Sequence, residues 1–587
     1  MTKKRLIIGA LAGLSVLSLA LTGCASGGKA TTGLGNPVKG GEVTWLDVQG
    51  QFEATDPAGV YLGSELAAFR RTVYRGLTTL PVSGDTNVAP IADLATNTGT
   101  TPDGGKTWEY TLKDGLKWQD GTAITCADLQ YGLSRSFDSN LVSLGGGVGT
   151  TYMAQYGLYD PSDPSFDVST DYPGPATATA DQQSHFNNAA SCSSDNKTIT
   201  YHFQSAWPDF PYAAASLFST DPYEKSFDKN TGSQWLINSN GPYKFDGKFD
   251  PNGVNEFVRN DNYDPSTDSI QSRGAYPDKI KFEFVADQET VTERLIADSG
   301  SDTSALTPGN IPSSKYSEIT SNLESRTMQT TSPYTRFLQI NSLRLTDPNV
   351  RRALVLATNQ NGVLQALGGD KYGTTTSTII AQGVIGYQPN PSTKDDNPDG
   401  DATAAKALLT KAGQASPAVT YAFPDTPTNE KVAAVLQQGW AAAGFVVTLD
   451  PIPTSAKPGY YAQMLQRNKA IDVFYSGWAA DWPSLFGVVP PILGSNPEGA
   501  TTASGFNYGF YSNSTVDQLI ASATAASDSA TQVADLLKAD ETAGADGAYV
   551  PLLNQKNFFI YGSKIGGFLP DIATSFYPDL GAVYVAK

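Results

Sequence analysis

Apolar residues at every second position predict short strands through the first half of the chain. Residues 41–46 open as a strand, Trp108, Tyr110 and Leu112 alternate across a second, and Ile199, Tyr201 and Phe203 restore the same period. Residues 66–78 carry apolar positions at helical spacing instead. Lys113-Asp114-Gly115 and Trp118-Gln119-Asp120-Gly121 turn the chain. Thr125 then stands where a helix N-cap belongs, with Asp128 three residues on as a near capping box. Residues 139–195 are dense in Gly, Ser, Asp and Pro, which predicts an irregular excursion. A strand at 280–285 and a helix near 290–297 follow.

From about residue 330 helices and strands alternate. Residues 337–340 read as a strand, and Asp347-Pro348 caps a helix whose apolar face includes Val350, Leu354 and Leu367. Residues 402–412 form a helix closed by Gly413. Strand 419–423, helix 428–443 with Gly444 at its end, and strand 446–449 make a βαβ unit, for which parallel strands are the rule. Residues 471–475 give another buried strand. Residues 550–561 give a last one, expected to return to the first part of the fold.

A chain of 587 residues is too long for one core, so two or three lobes are expected. Lys3, Lys4 and Arg5 precede an apolar stretch at 6–21, short for a bilayer span but suited to a signal peptide over residues 1–23. It ends in Leu21-Thr22-Gly23-Cys24, which resembles the lipobox of bacterial lipoproteins. That resemblance implies cleavage before Cys24 and lipid on its thiol; the plainer reading is a secretory signal with a chance cysteine. Residues 24–39, rich in Gly, Ser, Thr and Ala, read as a flexible tether. The net charge is −18, and removal of residues 1–23 leaves −21, which argues against nucleic acid as a partner. Cys126 and Cys192 remain, read as a disulfide in an exported chain, with two buried free thiols as the alternative.

Catalytic signatures are missing from the sequence. There is no G-x-S-x-G elbow, no H-E-x-x-H and no phosphate-binding G-x-x-x-x-G-K-[ST] loop, and the two histidines, His185 and His202, are each followed by Phe. Paired carboxylates of the glycosidase kind stay open, so a secreted hydrolase is the reading from another class. Neither a metal nor a cofactor is expected.

An ordered series of stretches resembles the dipeptide/oligopeptide-binding family of extracellular solute-binding proteins, family 5. It comprises Val73-Tyr74-Arg75-Gly76-Leu77, Trp118-Gln119-Asp120-Gly121-Thr122, Gly241-Pro242-Tyr243, Arg259-Asn260-Asp261-Asn262-Tyr263, Val350-Arg351-Arg352-Ala353-Leu354, Gly477-Trp478-Ala479-Ala480-Asp481-Trp482-Pro483 and Tyr511-Ser512-Asn513. The resemblance implies an α/β, two-lobed periplasmic-binding-protein-like fold with an extra subdomain, joined by hinge strands. Residues 40–80, 205–300 and 545–587 would form lobe I, 80–205 the extra subdomain and 300–545 lobe II. It further implies a monomer, lipid-anchored on the extracytoplasmic face of the cell membrane, that captures short peptides and delivers them to the permease of an ABC importer. An oligosaccharide, a metal chelate or another small solute is the alternative ligand. Two features depart from the family's pattern: the excursion at 139–195 is long and polar, and Tyr475 stands where some peptide binders carry Arg.

Asp481 is the sharpest site candidate. It follows a strand, lies between Trp478 and Trp482, and in the family the acid of this segment receives the peptide's α-ammonium. A carboxylate walled by aromatics suits that role, because a low local dielectric strengthens a charge-assisted bond; the alternative is an Asp capping the turn before Pro483. Trp478 reads equally as pocket wall or core. Tyr152 and Tyr156 either close over the ligand or pack on the surface. Asn429 and Glu65 either meet the ligand or serve locally, Asn429 beside a helix N-cap. Tyr475 is on an inward-looking strand, as ligand contact or as core.

Overall fold

The computed structural model describes residues 36–587 apart from 85–86, 145–150, 497, 502, 504 and 527. The expected signal peptide, Cys24 and all but the last four residues of the tether lie outside the described residues. Strand β1 (Glu42–Val48) is buried over five consecutive residues, the mark of a strand covered on both faces. After β1 comes helix α1 (Gly63–Thr72), and the chain then leaves to build a small antiparallel sheet. Its strands β2 (Thr107–Thr111), β3 (Ala190–Cys192) and β4 (Thr198–His202) stand in the order β2-β4-β3. The chain returns as β5 (Tyr243–Lys244), β6 (Val254–Arg259), β7 (Lys279–Val285) and β8 (Ala305–Leu306). These complete a five-stranded sheet ordered β8-β1-β7-β6-β5, with β1 parallel to both neighbours. A cluster of phenylalanines, including Phe52, Phe69, Phe257 and Phe282, fills the core beneath it.

The second lobe is a six-stranded sheet. Its strands are β9 (Thr327–Ile340), β10 (Gly373–Thr375), β11 (Ala418–Asp425), β12 (Val446–Pro453), β13 (Val473–Ala479) and β14 (Tyr549–Ile560), ordered β10-β14-β9-β13-β11-β12. The βαβ unit forms as the periodicity predicts: β11 and β12 are parallel and joined by the helix Pro427–Ala443, which Gly444 ends in the left-handed conformation only glycine takes without strain.

Strands β9 and β14 pair antiparallel and cross between the lobes, with a break in register between Thr331 and Thr335. At one end of β14, Val550, Leu552 and Leu553 sit in the second lobe's core; at the other, Phe558 and Ile560 pack with Leu46 of the first. This shifts two expected boundaries. Residues 549–555 belong to the second sheet and not to lobe I, and residues 305–306 belong to the first sheet and not to lobe II. The expectation failed because a strand shared by two cores has no period of its own that marks the crossing.

The subdomain also differs from its expected form. The described residues of the stretch 139–195 include four short helices, Ser139–Val142, α2 (Thr151–Tyr156), Val168–Asp171 and Ala180–Ala189. Asp138, Asp167 and Thr179, which read as loop residues, are N-caps that accept backbone N–H bonds. Cys126 and Cys192 are bonded, their Cα atoms 5.8 Å apart, and tie the capped helix Cys126–Arg135 to β3. Arg75, from the Val73–Leu77 stretch, is buried with Arg273 among Asp93 and Asp268, so that stretch joins first lobe to subdomain through a closed charge cluster.

Candidate ligand-binding site

β13 is parallel to β11 and ends at Ala479, so the loop carrying Asp481 emerges at the carboxyl edge of parallel strands, where open α/β sheets bind ligands. A cavity of about 330 Å³ lies against it. Its walls come from both lobes: Tyr61 and Leu66 from the first, Phe337, Trp478 and Phe506 from the second, and Tyr577 from the C-terminal segment. The lining is largely apolar and aromatic, with few polar groups to fix an orientation, the usual character of a small-molecule site.

Asp481 is the meeting point of three units. One carboxylate oxygen accepts the Tyr61 hydroxyl at 2.8 Å, and the other accepts the hydroxyl of Tyr152, which α2 brings over from the subdomain. Burial pushes the Asp481 carboxyl up to about 6, against the pull of the two hydroxyls. Burial, reinforced by the adjacent carboxylate, also drives both tyrosines well above their ordinary range, so each stays a proton donor. The Tyr152 ring packs edge-on against Trp482, centroids 4.5 Å apart.

The elements that hold Tyr61 and Tyr577 explain their positions. Glu65, fully buried, accepts the backbone N–H groups of Glu53, Ala54, Tyr61 and Leu62, and so shapes the turn that presents Tyr61. Burial pushes its carboxyl up to about 7 despite those four donors. Gly63 stands where a Cβ would lie 2.5 Å from the Tyr577 ring, so only glycine lets that ring close on the helix start. Tyr577 itself follows Ser575 (φ 50°) and Phe576 (φ 61°), two consecutive left-handed non-glycine residues. Such conformations cost about 1–3 kcal/mol each and concentrate at ligand clamps.

The other expected site residues divide. Trp478 lines the cavity and is tethered as well: its indole N–H donates to the Gly487 carbonyl at 2.8 Å and its ring lies 4.1 Å from Phe506. Tyr156 is buried away from the cavity, stacked on Trp207 at 4.2 Å, and so backs the helix that carries Tyr152. Tyr152 and Tyr156 are thus not surface residues of a loop. Glu65 does not line the cavity, since its oxygens are spent on backbone. Asn429 also lies outside it, its amide donating to the Pro424 carbonyl at 2.9 Å and its N–H to Thr426 Oγ1 at 3.2 Å. Tyr475 lies outside too and packs on the second lobe's core. Unforeseen were Tyr61, Tyr334, Phe506 and Tyr577; nothing local distinguishes them from other tyrosines and phenylalanines, and sequence distances of up to about 500 residues separate them.

A second cavity of about 270 Å³ adjoins the first and shares Pro333, Tyr334 and Tyr577 with it. Its lining is polar and includes Asp47, Asn310, Arg336, Gln555 and Asn557. Burial pushes the Asp47 carboxyl up to about 7, although it accepts the Val48 N–H and the Trp45 indole N–H. Among the described residues no group of His, Cys, Asp and Glu is arranged to hold a metal, and no helix is long and apolar enough to cross a membrane.

Comparison with known proteins follows the same outline. The glutathione-binding protein GsiB of Escherichia coli is 23% identical over 495 residues, covering 81% of this chain and 83% of that protein. Among solved structures, the clavulanic acid biosynthesis oligopeptide binding protein 2 superposes with a TM-score of 0.80 at 22% identity, covering 94% of this chain and 96% of the other. Haemophilus influenzae OppA in complex with RPPGFSPFR gives 0.67 at 19% identity, with 93% and 99% covered. Both share the two-lobed fold. The sequence profile of the bacterial extracellular solute-binding proteins, family 5, matches residues 89–500, and the chain therefore belongs to that family of transport binding proteins, which are not enzymes.

Proposed function

We propose that this protein captures short peptides between its lobes, gripping the ligand's amino end at Asp481, and delivers them to the permease of an ABC importer. The carrying observation is the position of Asp481: one carboxylate of the second lobe, bonded to a hydroxyl from the first lobe and another from the subdomain, beside an aromatic cavity. An α-ammonium placed there touches groups from every moving part, so it favours the closed form over the open one. Trp478 serves as a wall of the pocket. Glu65 and Tyr156 act as positioning residues for Tyr61 and Tyr152. The cavity is at the small end of ligand sites, which suits a peptide of about two or three residues. Relatives support the class: GsiB is named for glutathione, and the Haemophilus influenzae protein holds a peptide.

The Leu21–Cys24 lipobox supports a diacylglycerol anchor on Cys24, with residues 24–39 as tether and the protein a monomer on the extracytoplasmic face. Two or three acyl chains hold where one would not. Native mass spectrometry after incubation with tripeptide, oligosaccharide and metal-chelate pools tests the ligand class. Retention of tripeptides is expected; retention of only sugars or chelates overturns the reading.

A further inference from the structure

Asp209 starts the helix Phe210–Ser216, yet its carboxylate caps none of that helix's N–H groups. Every other aspartate at a described helix start accepts one. Asp209 instead accepts the indole N–H of Trp482, which lies in the second lobe on the loop that carries Asp481. Asp209 is 7% exposed and Trp482 1%, so the bond is shut off from water. The two partners are held from opposite sides. On the subdomain side, the Trp207 N–H donates to the Gly105 carbonyl at 2.9 Å and the Trp108 indole to the Trp207 carbonyl at 3.1 Å, which fastens the helix start to β2. On the other side, the Ser484 N–H donates to the Trp482 carbonyl at 2.7 Å and the Ile385 N–H to the Pro483 carbonyl at 3.3 Å. The Trp482 ring enters an aromatic pocket of the subdomain, 4.5 Å from Tyr152 and 5.9 Å from Trp207.

Neither Trp482 nor Asp209 lines either cavity, so a ligand neither makes these contacts nor replaces them. An indole taken out of water into an aromatic pocket, and given an acceptor there, favours the closed form on its own account. The charge is not the source of that gain. Burial pushes the Asp209 carboxyl up to about 6, against the hydrogen bonds of Ser484 and Trp482. We propose that Trp482 and Asp209 form a clasp that draws the lobes together independently of the ligand. A ligand that binds the closed form has its affinity scaled by the fraction of protein already closed, so the clasp sets one common factor for every ligand of the cleft. This rests on the hinge closure of the peptide-capture reading and adds to it a closing contact made by the protein alone. Asp209 is a positioning residue in this scheme, acting through Trp482.

Small-angle X-ray scattering of the protein without peptide tests it, on the wild type, W482F, D209A and D209N. The wild type is expected to show a closed fraction. W482F keeps the ring and loses the N–H, and D209A loses the acceptor; both are expected to lower the closed-to-open ratio about tenfold to hundredfold. D209N keeps an acceptor oxygen without the buried charge and is expected to close at least as far as the wild type. Calorimetry with two tripeptides of different side chains is the second measurement: W482F should weaken both by the same factor. A wild type with no closed fraction, a W482F protein as closed as the wild type, or a D209N protein as open as D209A overturns the clasp. Unequal losses for the two tripeptides overturn it too, since Trp482 would then be acting on the ligand. Failure of the wild type to bind either tripeptide removes the peptide-capture reading and leaves the scattering result to decide the clasp.

Discussion

Replacing Asp481 by Asn isolates the charge at the centre of the cleft. Asparagine keeps the side chain's outline and can still pair with the hydroxyls of Tyr61 and Tyr152, which reach Asp481 from two other units. Removing one partner of a desolvated ion pair costs about 3–5 kcal/mol, and each 1.4 kcal/mol is about tenfold in affinity. The dissociation constant for a free-amine peptide should therefore rise by two to more than three orders of magnitude, roughly. The unliganded protein should respond in the opposite direction. A carboxyl raised from 3.8 to about 6 binds its proton more tightly folded than unfolded, so its ionised form opposes folding at neutral pH. A shift of that size is worth about 3 kcal/mol, and D481N should melt higher than the wild type when no ligand is present. Isothermal titration with a peptide and its N-acetylated twin completes the cycle: acetylation should be costly for the wild type and nearly neutral for D481N. Affinity within threefold of the wild type, or an acetylation penalty of the same size in both proteins, would refute the ammonium site.

The same carboxyl sets a pH dependence: with its proton leaving at about 6, affinity should hold from neutral pH down to that point and then fall about tenfold per unit, and a flat profile to pH 4.5 would be inconsistent with it. Glu65→Ala removes the acceptor of four backbone N–H groups, buried or partly buried, and an unpaired buried donor costs about 1–3 kcal/mol, so chemical denaturation should show a loss of at least about 3 kcal/mol, while E65Q, which keeps an acceptor oxygen for two of the four, loses less. Removing the Cys126–Cys192 bridge, which spans 66 residues, should lower stability by about 2–4 kcal/mol without changing peptide affinity, because it lies within the subdomain; an unchanged melting temperature would contradict this.

Features whose cause is local could be read from the sequence. The βαβ unit at 418–453 follows from periodicity and a terminal glycine, and the capped helix at 126–135 from Thr125 and Asp128, whose carboxylate does accept the Thr125 N–H at 2.8 Å. Asp481 could be singled out because its segment carries a family pattern. The rest depends on tertiary contact. Tyr61 and Tyr577 meet at one cavity from opposite ends of the chain, a proximity only three dimensions reveal. The short helices at 139–189 were hidden because runs of four to ten residues with little amphipathic stripe are stabilised by caps and packing, not by period.

A crystal structure with a bound tripeptide tests the central claim most directly. The ligand's amino nitrogen should lie about 3 Å from an Asp481 carboxylate oxygen, with the hydroxyls of Tyr61 and Tyr152 still at hand. A peptide bound with its amino end elsewhere, or outside the interlobe cavity altogether, would contradict it.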